Sequence, residues 1–104
     1  MAESILGFDI GGSSIKFARL DIHTGAIEGE PQTVPLPQPA TPQALLAVVR
    51  EGVRMFAPSG PFGVGYPGVI KNGRTLSAAH LDKSFLGHDW LSDLRSLSPA
   101  PVAL

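Results

Sequence analysis

The 104-residue sequence has no cysteine, no long apolar run and no excess of charge of either sign. The absence of cysteine excludes a disulfide framework, a thiolate zinc site and a cysteine nucleophile. Eight Lys and Arg residues oppose nine Asp and Glu residues. Such a balance provides no basic surface for nucleic acid or an anionic membrane, and we expect neither as a partner. The longest aliphatic run, residues 44–49, is too short to cross a bilayer, and no signal-peptide pattern is present. The expected location is therefore the cytoplasm.

The sequence does contain the pattern of one α/β lobe spanning residues 1–104. A chain of this length is too short for two ordinary domains. Apolar stretches separated by glycine-containing turns predict three consecutive antiparallel strands. We place these strands at Ser4–Ile10, Ile15–Ile22 and Ala26–Val34.

A proline-rich segment separates this meander from a predicted helix. Five prolines occur in residues 31–42, a spacing that fits either a polyproline II ligand or a stiff connector, and we favour the connector. Thr41 followed by Pro42 is a favourable N-cap and first-turn pair. A helix of about four turns should follow and end near Pro58, with Gly52 allowing a close approach to the sheet.

The second half of the chain predicts shorter elements. Residues 62–66 read as a central strand, and Asn72-Gly73 marks a two-residue hairpin turn. Residues 77–87 are irregular, and residues 89–97 form a short amphipathic helix. The apolar stretch Val102–Leu104 reads as the beginning of a buried strand. Since chain ends are more often polar, we expect the sequence to be part of a longer protein.

The most informative segment is the turn after the first strand, Asp9-Ile-Gly-Gly-Ser-Ser-Ile-Lys16. Glycines allow backbone N–H groups to approach an anion, hydroxyls add donors, and Lys16 adds a compact positive charge. A divalent metal beside a phosphate needs an oxygen ligand such as Asp9. The alternative is an ordinary hairpin in which Gly and Ser serve only the turn.

These residues resemble the phosphate-binding signature of ROK-family sugar kinases, Asp-Ile-Gly-Gly-Ser/Thr-x-x-Lys. Residues 63–70 are similar to the family's Gly-x-Gly-x-Pro-Gly-Val-Val stretch. Residues 78–87 are similar to the Ala-Ala-Asn-Leu-Asp-Lys-Ser-Trp-x-Gly stretch of polyphosphate glucokinases. The motifs occur in order and at compatible spacing. The resemblance implies the N-terminal lobe of a ribonuclease H-like (actin-like ATPase) fold, an α/β mixed sheet of about five strands with a helix on one face.

The resemblance also implies residue roles. Asp9 would position the Mg²⁺-bound phosphoryl donor through water. The donor phosphates would contact Gly11, Gly12, Ser13, Ser14 and Lys16. The sugar site would include Gly68 and His80, where His80 replaces the family's Asn. Asp82 and Lys83 would lie near the sugar or the donor, although a solvated surface patch explains this pair equally well.

The implied reaction transfers a phosphoryl group from polyphosphate, ATP or both to the 6-hydroxyl of glucose or a related hexose. The resemblance places the general base in an Asn-Asp-Ala-Asp motif just after Leu104, so no catalytic residue is expected in this chain. We therefore expect the 104 residues alone to lack kinase activity. Family members commonly dimerise through the other half of the protein, which implies a homodimer.

Two other functions can be weighed on the sequence. Gly63, Gly65 and Gly68 match the spacing of a dinucleotide-binding fingerprint, but Pro67 and the Asn72-Gly73 turn leave no room for the helix that such a site requires. The resemblance also permits a sugar-sensing transcriptional regulator that lacks its DNA-binding domain. No basic recognition helix is present, which favours the kinase.

Overall fold

A computed structural model of the chain describes residues 4–56, 60–98 and 102–104. In chain order, these residues form strands, two α-helices and one 3₁₀ helix. The strands are β1 (Ser4–Ile10), β2 (Ser14–Asp21), β3 (Ile27–Pro35), β4 (Phe62–Gly65), β5 (Ile70–Lys71), β6 (Arg74–Thr75), β7 (His88–Asp89) and β8 (Val102–Ala103). The α-helices are α1 (Pro42–Phe56) and α2 (Trp90–Arg95), and the 3₁₀ helix is Lys83–Phe85.

The main sheet has five strands in the order β3-β2-β1-β4-β8. The first three strands are antiparallel, as the sequence predicts, and Ile10 lies opposite Ile15 at the turn between β1 and β2. Strand β4 then pairs in parallel with β1, and β8 pairs in parallel with β4. Because parallel strands end at the same side, the carboxyl ends of β1, β4 and β8 share one edge of the sheet.

Helix α1 covers one face of this sheet. The Thr41 hydroxyl accepts a hydrogen bond from the Ala44 amide at 3.2 Å, which confirms the predicted N-cap. A Cβ built on Gly52 would lie 2.7 Å from the ring of Phe8, so only glycine permits this approach. The apolar core between helix and sheet includes Leu6, Phe8, Ile10, Ile15, Phe17, Leu45, Val49 and Val53. None of the described helices is both long and apolar enough to span a membrane.

A second, smaller sheet has the strand order β5-β6-β7. The predicted hairpin turn is confirmed, because Asn72 (φ 53°) and Gly73 (φ 79°) both adopt the left-handed backbone that this type of turn requires. Helix α2 follows directly and begins at Trp90, which is fully buried. The Asp89 carboxylate caps it by accepting from the Ser92 amide at 3.2 Å.

Several predicted boundaries differ from the structure. The strand expected at residues 62–66 ends at Gly65, and the helix expected at residues 89–97 is limited to Trp90–Arg95. Strand β3 continues through Pro35, since an edge strand tolerates proline on its unpaired side. The terminal strand forms at Val102–Ala103, where Val102 is half-buried and Ala103 is exposed, as expected for a strand that only a longer protein would cover. Pro58, expected to end α1, lies outside the described residues.

The proline-rich segment packs into the fold after β3 ends. Leu36 and Ala40 are buried, and the Ala40 carbonyl accepts a hydrogen bond from the Asp82 amide at 3.0 Å. These contacts agree with the connector interpretation, because a polyproline II ligand needs an accessible surface. The segment thereby links the main sheet to the irregular residues 77–82.

Candidate functional site

The candidate site lies at the carboxyl ends of the parallel strands β1 and β4. Asp9 and Gly65 are neighbours across this pair. A Cβ built on Gly65 would lie 3.7 Å from the Asp9 Oδ1 atom. The missing side chain at Gly65 therefore leaves the Asp9 carboxylate accessible at the edge where α/β sheets usually bind ligands.

Asp9 and Lys16 form a directly opposed pair across β1 and β2. Both side chains are exposed. Their neighbours Phe8 and Phe17 are buried beneath α1, and since successive side chains alternate between faces, Asp9 and Lys16 lie on the opposite face. The start of the turn therefore carries one anionic and one cationic group side by side.

The turn between β1 and β2 uses only some of its backbone groups to hold its own shape. The Gly11 amide donates to the Ser14 carbonyl at 2.9 Å, and the Ser13 carbonyl accepts from the Leu36 amide at 3.0 Å. Within the described part of the chain, the amides of Gly12 and Ser13 have no hydrogen-bond acceptor. Both residues are exposed. Gly11 thus closes the turn, and the Gly12 and Ser13 amides remain available to an anion.

His80 lies directly against this turn, although it is far away in sequence. A Cβ built on Gly12 would meet the His80 ring, 3.2 Å from Cδ2 and 3.8 Å from both Cγ and Nε2. Gly12 has no positive φ, so the turn itself does not require glycine here. A Cβ would instead crowd the imidazole ring, which would have to shift by a few tenths of an ångström. The structure therefore brings together a residue predicted for the donor and a residue predicted for the sugar.

The segment that presents His80 is held on both sides. Ala79 has a left-handed backbone (φ 48°), which is unfavourable for a residue with a Cβ. The next residue, Leu81, is buried, and its amide donates to the Ala78 carbonyl at 2.7 Å. These contacts fix the direction in which His80 leaves the backbone.

Gly68 lies in a second tight turn, after β4. Its amide donates to the Tyr66 carbonyl at 2.9 Å. A Cβ at this position would be 2.5 Å from the Ser77 hydroxyl oxygen and 2.9 Å from the Tyr66 ring. Gly68 is exposed, and the close approach of Ser77 and Tyr66 explains why this position needs glycine.

Ser77 and Tyr66 are site-forming residues that the sequence analysis did not single out. The Ser77 hydroxyl accepts from the Val69 amide at 2.9 Å, and the Tyr66 hydroxyl donates to the Ser77 carbonyl at 2.7 Å. Partial burial raises the pKa of Tyr66. A sequence signal for Ser77 existed, because extending the register of the Asn72-Gly73 hairpin by two pairs puts Ser77 opposite Gly68.

Asp82 and Lys83 lie farther along this segment and serve a local turn. The Asp82 Oδ1 atom accepts from the Ser84 amide at 2.9 Å and caps the 3₁₀ helix. Hydrogen bonds from the Ser84 hydroxyl and amide lower the pKa of Asp82. Lys83 is exposed. The capping role gives Asp82 a structural reason to be acidic without any ligand.

Asp9 is the only predicted metal-binding residue, and the structure permits a limited role. The described residues contain no group of three or more His, Cys, Asp or Glu side chains that could hold a metal ion. Mg²⁺ commonly binds through one carboxylate together with water and substrate phosphates. The exposed Asp9 carboxylate fits an ion that arrives with a phosphoryl donor.

Comparison with known proteins shows which proteins the chain resembles. No family model matches the chain. Over 81 residues, or 78% of its length, the chain is 44% identical to the polyphosphate glucokinase of Mycobacterium tuberculosis, and the match covers 31% of that protein. The chain therefore spans about a third of the length of the curated relatives it matches. The polyphosphate glucokinase of Mycobacterium leprae is 43% identical over the same number of residues, 25% of that protein.

Solved structures confirm the fold. The inorganic polyphosphate/ATP-glucomannokinase of Arthrobacter sp. strain KM superposes with a TM-score of 0.86 at 38% identity, covering 95% of this chain and 42% of that one. A ROK family glucokinase from Streptomyces griseus, solved with glucose and AMPPNP, gives a TM-score of 0.79 at 21% identity over 98% of this chain and 32% of that one. A ROK family transcriptional regulator reaches 0.68 at 14% identity and shares the fold alone. The chain is thus homologous to polyphosphate glucokinases and has the actin-like ATPase fold of ROK sugar kinases, which confirms the resemblance found in the sequence.

Proposed function

We propose that residues 1–104 are the N-terminal lobe of a hexose kinase and hold one side of its phosphoryl donor and of its sugar. The whole protein would transfer a phosphoryl group from polyphosphate, ATP or both to the 6-hydroxyl of glucose or a related hexose. Support comes from the homology to polyphosphate glucokinases and from the Arthrobacter enzyme, whose name includes both donors.

The contact between Gly12 and His80 is the observation on which this proposal rests. It joins the turn with free amides to the segment that leads back to Ser77 and Gly68. Phosphoryl transfer depends mainly on holding donor and acceptor next to each other in the correct geometry. A turn that only connected β1 to β2 would not need the segment with His80 packed against Gly12.

The donor side would consist of the Gly12 and Ser13 amides, the hydroxyls of Ser13 and Ser14, and Lys16. Gly11 would shape this turn. Asp9 would bind or orient Mg²⁺ carried by the donor, and the ion would offset negative charge on the transferred group. The sugar side would include Gly68, and Lys83 stays a candidate for contact with sugar or donor.

The general base would come from sequence beyond Leu104. Strand β8 runs parallel to β4, so the chain passes Leu104 at the same sheet edge as Asp9. A carboxylate just after this strand would reach the sugar hydroxyl from the side opposite the turn. The complete protein would act in the cytoplasm as a homodimer. The regulator alternative is supported by the shared fold alone.

Activity of the complete reading frame provides the test. The protein that this reading frame encodes should form glucose 6-phosphate from polyphosphate or ATP in the presence of Mg²⁺. Asp9→Ala should lower its kcat/KM at least 100-fold, because charge positioning supplies several kcal/mol in such reactions. Glu30→Ala, an exposed carboxylate on β3, is the matched control and should retain activity.

The 104-residue chain alone should form no product above its own Asp9→Ala variant. Glucose phosphorylation by the chain above that background would contradict the expected position of the base. A complete protein inactive with both donors on every hexose tried would contradict the proposed function.

A further inference from the structure

We propose that His80 binds the phosphoryl donor, with its imidazole Nε2–H donating to a phosphate oxygen held over the Gly12 and Ser13 amides. This inference rests on the proposed function and reassigns His80 from the sugar to the donor. The ring atom nearest a Cβ position on Gly12 is Cδ2 at 3.2 Å, and its two neighbours Cγ and Nε2 both lie at 3.8 Å. Nε2 is therefore close to the turn, within reach of an anion bound over its amides.

Histidine suits this position better than the asparagine of the family pattern. The Nε2 atom of histidine is one covalent bond farther from Cβ than the amide nitrogen of asparagine, so it reaches across the turn. A histidine with a proton on Nε2 donates a hydrogen bond, and the imidazolium also contributes charge. A phosphate bound to backbone amides leaves other oxygens free for such a donor.

The surroundings of His80 agree with a binding role. The side chain is exposed, but the left-handed Ala79 and the buried Leu81 fix its backbone on both sides. Gly12 adopts no conformation that requires glycine, and its missing side chain is explained by the ring that lies over it. The ionised groups that flank the same turn are Asp9 and Lys16, which oppose each other across the strands. His80 would supply the donor with a second positive or hydrogen-bonding contact besides Lys16.

Tripolyphosphate titration of the 104-residue chain, followed by NMR, tests this inference. The Gly12 and Ser13 amide signals and the His80 Nε2 signal should shift together and saturate at one affinity, whereas sodium sulfate at equal ionic strength should move them far less. Glucose should leave the His80 Nε2 signal unchanged. A side chain that only supported the fold would show no saturable Nε2 shift.

Two variants separate ring packing from hydrogen bonding. His80→Phe keeps a ring against Gly12 but removes the N–H donor, and His80→Asn has a donor of shorter reach. Both should weaken tripolyphosphate binding about tenfold, the loss typical of one charge-assisted hydrogen bond. His23→Phe, in the turn between β2 and β3, is the matched control and should bind as the unmodified chain does. Fluorescence of Trp90, the sole tryptophan, verifies folding in each variant.

The possible failures can be told apart. If the unmodified chain binds tripolyphosphate at the Gly12 and Ser13 amides and both His80 variants bind equally well, the inference is wrong and the proposed function stands. If the variants lose glucose affinity instead, His80 belongs to the sugar. If neither the 104-residue chain nor the complete protein shows saturable binding of tripolyphosphate, the donor site itself is wrong and the inference falls with it.

Discussion

The hairpin turn between β1 and β2 and the hairpin turn between β5 and β6 use glycine for different reasons. In the turn between β5 and β6, Gly73 has a φ of 79° and its carbonyl accepts from the Leu91 amide at 3.1 Å. In the turn between β1 and β2, Gly12 has no positive φ, and its amide has no acceptor among the described residues. The turn between β5 and β6 is bonded to helix α2, whereas the turn between β1 and β2 presents unused donors to solvent.

The difference shows how to separate a structural glycine from a binding glycine. At Gly73 a Cβ would lie 2.8 Å from the Leu91 Cβ, an atom that cannot move without its helix. At Gly12 a Cβ would meet only the exposed ring of His80. Backbone conformation and packing both require glycine at position 73. At Gly12 a Cβ would be crowded only by the movable His80 ring among its three nearest atoms.

The largest effect is expected for Gly73→Ala. Its left-handed backbone costs roughly 1–2 kcal/mol for a residue with a Cβ, and crowding against Leu91 adds roughly 1–3 kcal/mol. The free energy of unfolding should fall by about 2–5 kcal/mol, measured by urea denaturation with Trp90 fluorescence. Gly25→Ala is the matched control, because Gly25 has a similar φ of 73° and no atom within 4 Å of a Cβ. Equal losses in the two variants would mean that Leu91 contributes nothing.

Much of this contrast could be predicted from the sequence. Asn72-Gly73 identifies its turn directly, because few residue pairs adopt that backbone. The opposed Asp9–Lys16 pair follows from the short turn between β1 and β2, whereas the anion site that this motif predicts stays a prediction. Local sequence determines these features, since the residues involved are close along the chain.

The parts that could not be predicted depend on long-range packing. The approach of His80 to Gly12 requires the path of residues 77–82, which is set by the left-handed Ala79 and the bond from the Asp82 amide to the Ala40 carbonyl. Alanine gives no sequence signal for such a backbone. The Gly11 amide closes the turn and the Gly12 amide stays without an acceptor among the described residues. This difference likewise depends on hydrogen bonds that the glycine content of the sequence does not reveal.

Gly12→Ala should have a smaller effect on folding and a clear effect on binding. The exposed His80 ring can move aside, so the free energy of unfolding should change by about 0.5 kcal/mol or less. Tripolyphosphate affinity should fall about tenfold, because the new Cβ displaces His80 and crowds the free amides. In a His80→Ala background the same substitution should cost less, since no ring remains to be displaced. A loss of stability comparable to that of Gly73→Ala would remove the distinction between the two turns.

The smallest effect is expected at Asp82, whose carboxylate stabilises a turn next to the site. The Ser84 hydroxyl and amide hold the folded-state pKa of Asp82 below its ordinary value of 3.8. A lowered folded-state pKa means that this stabilisation is fully present above about pH 4 and is lost as the pH falls through the folded-state value. Asp82→Asn cannot ionise, so its deficit in Tm relative to the unmodified chain should be constant from pH 7 to pH 5 and should shrink towards pH 3. Ser84→Ala, which keeps the amide but removes the hydroxyl, should show a weaker form of the same trend.

Ligand binding by Asp82→Asn at pH 7 decides whether this carboxylate belongs to the cap or to the site. Unchanged tripolyphosphate and glucose binding would assign it to the cap. A selective loss of affinity for either ligand with Tm unaltered would move it into the site beside His80.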